Sequence, residues 1–148
     1  EYQRHPAKWN IVNDNMKKFK VSGLKNLSTQ VCTTINFFNI AYVDELIPYI
    51  DEWQPDFWYI NSLHNPSEFD IQQLPKDIKN VISEKLSKAN VRKDEMKTAI
   101  QYLNSEPNTV VENYKNKLLS RIKKIDSARK ENFKEIFPYM NTLVGIYA

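Results

Sequence analysis

The chain has 148 residues, 41% hydrophobic and 26% charged, which gives room for one ordinary domain with its own core and excludes a disordered chain. A formal net charge of +3 falls far short of the concentrated basic character that argues for nucleic acid, and no apolar run reaches bilayer-spanning length. The single cysteine, Cys32, excludes an internal disulfide and a multi-cysteine metal site, and fits a reducing, cytoplasmic setting.

After His5 and Pro6, the apolar residues Trp9, Val12, Met16 and Phe19 recur at helical spacing, and Gly23 suits the stop, so a first helix of about four turns is expected. From Leu27 to Ile35 the period changes to two and β-branched residues dominate, which predicts a strand with one face fully buried. Asn39 can cap a second helix with Val43, Leu46, Ile47 and Ile50 on its inner face and a kink at Pro48. Phe57 to Ile60 follows Pro55 as a short aromatic strand. A loop from Ser62 to Leu74 leads to a third helix opened by Pro75, with Ile78, Val81, Ile82 and Leu86 inward.

The alternation of strand and helix ends there. Met96, Ile100 and Leu103 mark a fourth helix, and Pro107 breaks the chain before Thr109 and Glu112, which have the spacing of a capping box. A long helix follows with Val111, Tyr114, Leu118, Ile122 and Ile125 on its apolar face, and a shorter helical segment through Phe133, Ile136 and Phe137 ends at Pro138. The strand, helix, strand unit implies parallel strands, whose functional loops gather at their carboxyl ends. Parallel strands need neighbours on both edges and helices on both faces. Two of them, in a sequence opening on Glu1 rather than Met, read as the continuation of a sheet begun by preceding residues.

The opening EYQRHPAKWNIVNDNMKKFK, the segment TTINFFNIAYVDELIPYI, the run PDFWYINSLHNP with QLPKDIK, and the ending IDSARKENFKEIFP resemble the carboxyl-terminal half of radical S-adenosylmethionine enzymes of the twitch type, relatives of peptide-modifying and maturase proteins. The resemblance implies an α/β fold. Residues 1–91 would be the last two parallel strands, with their helices, of a partial (β/α)6 TIM-like barrel, and residues 92–148 a helical carboxyl-terminal extension. It also implies S-adenosylmethionine and a 4Fe-4S cluster in the full-length protein, the cluster held by three cysteines in the missing amino-terminal half. That half would be the chain's partner, and a peptide or small molecule its substrate, with no role for nucleic acid or membrane. Three thiolates leave the fourth iron open to chelate the cofactor. With Cys32 alone, this chain would hold neither the main cluster nor an auxiliary one.

Carried over residue by residue, the resemblance places Arg4 against the carboxylate of S-adenosylmethionine, for which a guanidinium fork is suited. It places Thr34 and Asn36 at a strand end facing the cofactor, and Ile60, Asn61 and Leu63 where the adenine is met. Each has an ordinary alternative. Arg4 can be a solvated side chain, Asn36 a turn residue, Asn39 a pure helix cap, and Ile60 and Leu63 barrel core. His5 and His64 lack metal-ligand spacing, and Cys32 inside a strand reads as a buried, inert thiol. Trp53, Phe57, Trp58 and Tyr59 read as core between helix and sheet, and the basic set from Arg121 to Lys134 as a solvated helix face. The competing function is a non-catalytic α/β interaction module whose helical tail contacts a partner.

Overall fold

The computed structural model describes residues 2–145. Its first helix, α1 (Trp9–Val21), is followed by strand β1 (Gln30–Ile35), a 3-10 helix (Ile40–Leu46), α2 (Ile47–Trp53) and strand β2 (Phe57–Ser62). Two single 3-10 turns, Ser67–Phe69 and Ile71–Gln73, lead into α3 (Lys76–Ser87) and α4 (Lys93–Asn104). The tail is α5 (Tyr114–Arg129), α6 (Phe133–Ile136) and α7 (Pro138–Val144). The fold is α/β, with β1 and β2 paired in parallel, Gln30 opposite Phe57 through Ile35 opposite Ser62.

A parallel pair cannot be joined by a tight turn, and the connection here is the 3-10 helix running into α2. Pro48 does not kink a longer helix as the sequence suggests. It lies in the first turn of α2, where its missing N–H costs nothing, and the chain before it winds as 3-10. Lys85 of α3 ties this crossover down, donating to the Ala41 carbonyl at 2.7 Å and pairing with Asp44 at 2.5 Å.

One face of β2 carries the core. Trp58, Ile60 and Ser62 are buried while Phe57, Tyr59 and Asn61 between them are exposed. The helices packed on the buried face supply Ile78, Ile82 and Leu86 from α3 and Met96, Ala99 and Leu103 from α4. Val81, expected inward on α3, is 42% exposed because Ile78, Ile82 and Leu86 already form the stripe turned to the core between α4 and the 3-10 crossover. The apolar cluster continues through Leu118 and Ile122 of α5 to Phe133 and Met140, so residues on both sides of position 91 share it.

Several expectations fail on this sheet for one reason: its other face has no layer against it among the described residues. Only Ile35 of β1 is buried, so no face of that strand is fully covered. Cys32, expected buried, is exposed. Phe57 (59% exposed) and Tyr59 (48%) stand on the bare side rather than in the core that Trp53 and Trp58 join. Helix α1 buries none of its residues. It is held at its side by Trp9 against Tyr49 and Trp53, by the Trp53 indole donating to Asn13 at 2.8 Å, and by Lys17 pairing with Glu52 at 2.9 Å.

Strand β1 starts at Gln30 rather than Leu27. The Thr29 N–H and hydroxyl both donate to Asp56 just before β2, at 2.7 and 3.2 Å, a side-chain clasp beside the bond that the Phe57 N–H gives the Thr29 carbonyl at 3.2 Å. In the tail, Thr109 and Glu112 form no capping box, because α5 begins only at Tyr114, after Asn113 in the left-handed region, and Val111 lies before the helix. The segment through Phe133 and Ile136 ends before Pro138 as expected, and Pro138 then opens α7.

Replacing the fully buried Leu103 by Ala is expected to cost about 3 kcal/mol in urea denaturation, through lost burial and the cavity left behind. Val81→Ala, on the outer side of the neighbouring helix, is expected to cost less than about 1 kcal/mol. The Thr29 backbone N–H, helped by the Thr29 hydroxyl, holds the Asp56 carboxyl below the usual carboxylate range. Its contribution is therefore present above the unfolded-state value and is lost as pH falls through the lower folded-state value. Asp56→Asn should lower stability at neutral pH and flatten the acid limb of a stability-against-pH curve; an unchanged acid limb would show that the clasp carries no linkage.

Candidate functional site

The carboxyl ends of the two strands are knotted together before any side chain points outward. The Leu63 N–H donates to the Ile35 carbonyl at 2.9 Å, and the Phe37 N–H to the Phe69 carbonyl at 2.9 Å, so the loop after β2 folds back on the loop after β1. Asn36 sits at the centre, 6% exposed. Its N–H donates to the Asn39 side-chain oxygen at 2.8 Å, its own Oδ1 accepts from the Phe38 N–H at 2.9 Å, and its Nδ2 donates to the Gln3 side chain at 2.6 Å. Asn39 in turn donates to the Thr34 carbonyl at 3.0 Å. Asn39 is thus a bridge across the strand end, and it makes no side-chain cap to the helix it precedes.

Beside this knot, along the outer edge of β1, runs a groove of about 880 Å3. Its walls are α1 (Trp9, Val12, Met16), the strand itself from Gln30 to Thr34, the loop residues Asn36, Phe38, Leu63 and Phe69, and an amino-terminal strap that includes Gln3 and Arg4. A volume of that order suits a cofactor-sized ligand. Arg4, Lys8 and Arg129 line it, and no aspartate or glutamate does among the described residues, so its potential favours an anionic group. The Phe38, Phe69 and Trp9 rings give it apolar surface.

Four of the residues singled out in the sequence, Arg4, Thr34, Asn36 and Leu63, meet in this groove. Arg4 is exposed and makes no ion pair with a described residue. Thr34 is half-buried and its hydroxyl has no protein partner among the described residues. Asn36 lies in the wall, but both ends of its amide are engaged within the protein, so it positions Gln3 and the Phe38 loop rather than offering a free donor. Ile60 and Asn61 stand outside the groove. Ile60 points to the helices with 5% exposure, because the period of two turns it away. Asn61 is on the bare face of the sheet, opposite Thr34 in the ladder, and its Oδ1 accepts from the Ser62 N–H at 2.9 Å.

A second polar cluster lies past the end of β2, where the sequence places Ser62 and His64 in a polar turn but does not point to their partners. His64 Nδ1 is 3.0 Å from Asp70 Oδ2, and the other Asp70 oxygen accepts from the Gln72 N–H at 2.9 Å. Gln72 Nε2 donates to Ser105 at 2.6 Å. Ser62 Oγ, the Gln72 side-chain oxygen and the Tyr114 hydroxyl are buried without a protein partner among the described residues. Burial pushes the Tyr114 hydroxyl far up from its ordinary value and pulls Lys79 down. The HNPSEFD spacing was the available signal, but His and Asp six apart meet only because the turn Ser67–Phe69 brings the chain back. Among the described residues no group of three His, Cys, Asp or Glu side chains is placed to hold a metal ion, and no helix is long and apolar enough to cross a membrane.

A scan against protein-family models, a search of curated proteins and a search of solved structures each returned no match to this chain.

The double role of Asn39 is testable. Asn39→Ala removes the acceptor of a buried N–H and the donor to a strand carbonyl, and is expected to cost about 2 kcal/mol. Asn39→Asp keeps the acceptor and should cost less. Equal losses in chemical denaturation would show that the Asn36 contact carries nothing.

Proposed function

We propose that this chain is the carboxyl-terminal part of a radical S-adenosylmethionine enzyme of the twitch type, supplying the last two strands of a partial (β/α)6 barrel together with a helical extension. The observation that carries the reading is the half-dressed parallel sheet. Among the described residues its helix side is packed, its other face is bare, β1 has one neighbour, and Arg4, Thr34 and Leu63 meet beside that open edge in a groove lined by no aspartate or glutamate. In a barrel the bare face would become the interior and a further strand would pair with the lower part of the β1 edge, leaving open the carboxyl-end part of the groove where Arg4, Thr34 and Leu63 meet.

In this reading Arg4 takes the amino-acid carboxylate of S-adenosylmethionine, the Thr34 hydroxyl and the Leu63 backbone meet the nucleoside, and Asn36 holds the strap and loop in place. Asn61, on the bare face beside Thr34, and Ile60 beneath it contribute shape rather than a groove contact. The residues present do not fit a cluster. Cys32 is the one thiol of the sequence and stands alone on the bare face, so the thiolates must come from other residues of the polypeptide. This chain's part in that reading is to bind and orient the cofactor.

The test is anaerobic reconstitution, with iron and sulfide, of the complete product of the reading frame that contains this chain. The expected result is cluster absorbance and release of 5'-deoxyadenosine from S-adenosylmethionine under reduction. Arg4→Ala should weaken cofactor binding about ten-fold or more, the loss of one charge-assisted contact. A product with neither cluster nor cleavage, recovered with a stable protein partner, would instead support the non-catalytic α/β interaction module.

A further inference from the structure

The strap that carries Arg4 is held from the far end of the sequence. Tyr2 is 3% exposed, and its ring packs between Phe38 (centroids 5.3 Å apart), Phe137 (5.3 Å) and Phe133 (6.4 Å). Its hydroxyl donates to Asp126 Oδ1 at 2.8 Å, the same oxygen that accepts from the Phe133 N–H at 3.1 Å where α5 turns into α6. The Arg129 guanidinium donates to the Tyr2 carbonyl. Gln3 is fastened to Asn36 at 2.6 Å, and the next residue is Arg4, whose carbonyl accepts from the Ala7 N–H at 2.7 Å to close a turn.

We propose that the corner between α5 and α6 is a clamp on the amino-terminal strap, and that Tyr2, Asp126 and Arg129 are positioning residues that hold Arg4 at the groove for an anionic ligand. This assigns the helical tail a role in ligand binding without its touching the reacting atoms. The physical basis is the cost of freedom. An exposed arginine on a loose segment must be ordered before it can bind, whereas one on a segment already pinned at two residues gives its full interaction. A charge-assisted bond from Arg129 and a buried phenol at Asp126 are of the strength needed to pin it. That the ligand is the carboxylate of S-adenosylmethionine rests on the reading in the preceding subsection; the clamp does not.

The experiment compares the chain with Arg129→Met, Tyr2→Phe, Arg129→Lys and, as a control on an exposed face of α5, Lys123→Met. Trypsin cleavage after Arg4 is timed against cleavage after Lys25 in the exposed loop before β1. Affinity for S-adenosylmethionine is measured by equilibrium dialysis in the reconstituted full-length product. Arg129→Met is expected to speed cleavage after Arg4 about ten-fold and to weaken affinity about as much, with Tyr2→Phe several-fold in the same sense. Arg129→Lys should restore most of both, while Lys123→Met and cleavage after Lys25 should not change. Unchanged cleavage after Arg4 in Arg129→Met and Tyr2→Phe overturns the clamp. Faster cleavage with undiminished affinity overturns the positioning role. If the wild-type product binds no S-adenosylmethionine, the cofactor reading fails, and the cleavage rates alone still decide the clamp.

Discussion

The upper end of the molecule depends on the commitment of Asn36. Its N–H, its carbonyl and both ends of its amide are used, the carbonyl accepting from the Asn39 and Ile40 N–H groups at 3.2 and 3.0 Å. A buried amide left without partners would cost several times what a satisfied one contributes, so these bonds form together or the strand end does not form. Three pieces of chain take their position from this one side chain: the end of β1, the start of the crossover and the strap at Gln3. The groove exists because they meet there.

The second governing constraint is the one-sided sheet. Helix α4, backed by α3, covers the face bearing Trp58 and Ile60, and the side chains that alternate with them have nothing to pack against among the described residues. The period of two therefore sorts this short sheet into a stable half and an open half. Exposed Phe57 and Tyr59, exposed Cys32, and an α1 that lies beside the sheet without burying a residue are all consequences of that sorting. The same openness makes the groove wide and leaves the β1 edge able to accept another strand.

Much of the architecture was legible in the residues. The swap from a period of 3.6 to one of two marked the first strand, Pro55 and the aromatic run after it marked the second, and the stripes Ile78, Ile82, Leu86 and Met96, Leu103 marked two of the helices. Prolines were read less well. Pro48 opens α2 rather than kinking a longer helix, and Pro138, which follows the end of α6 as expected, also opens α7, because a missing N–H is tolerated in a first turn and the sequence alone does not say which turn that is. Asn39 bridges the strand end rather than capping the helix for a related reason. A short amide can satisfy a helix end or a strand end, and the choice falls to whichever backbone group is nearer in space.

For the candidate site, the sequence by itself determined that polar residues close each strand, that Arg4 precedes the first helix and that one thiol cannot build a cluster site, since alternation, spacing and residue counts are local properties of the chain. The tertiary structure alone decided which of these residues meet. It brought Arg4, Thr34, Asn36 and Leu63 to one groove, turned Ile60 into the core, left Asn61 on the bare face, and joined His64 to Asp70. Above all it set Tyr2 against Asp126 and Arg129. Contacts across such a separation depend on how helices pack around a shared aromatic cluster, and no local pattern encodes that packing.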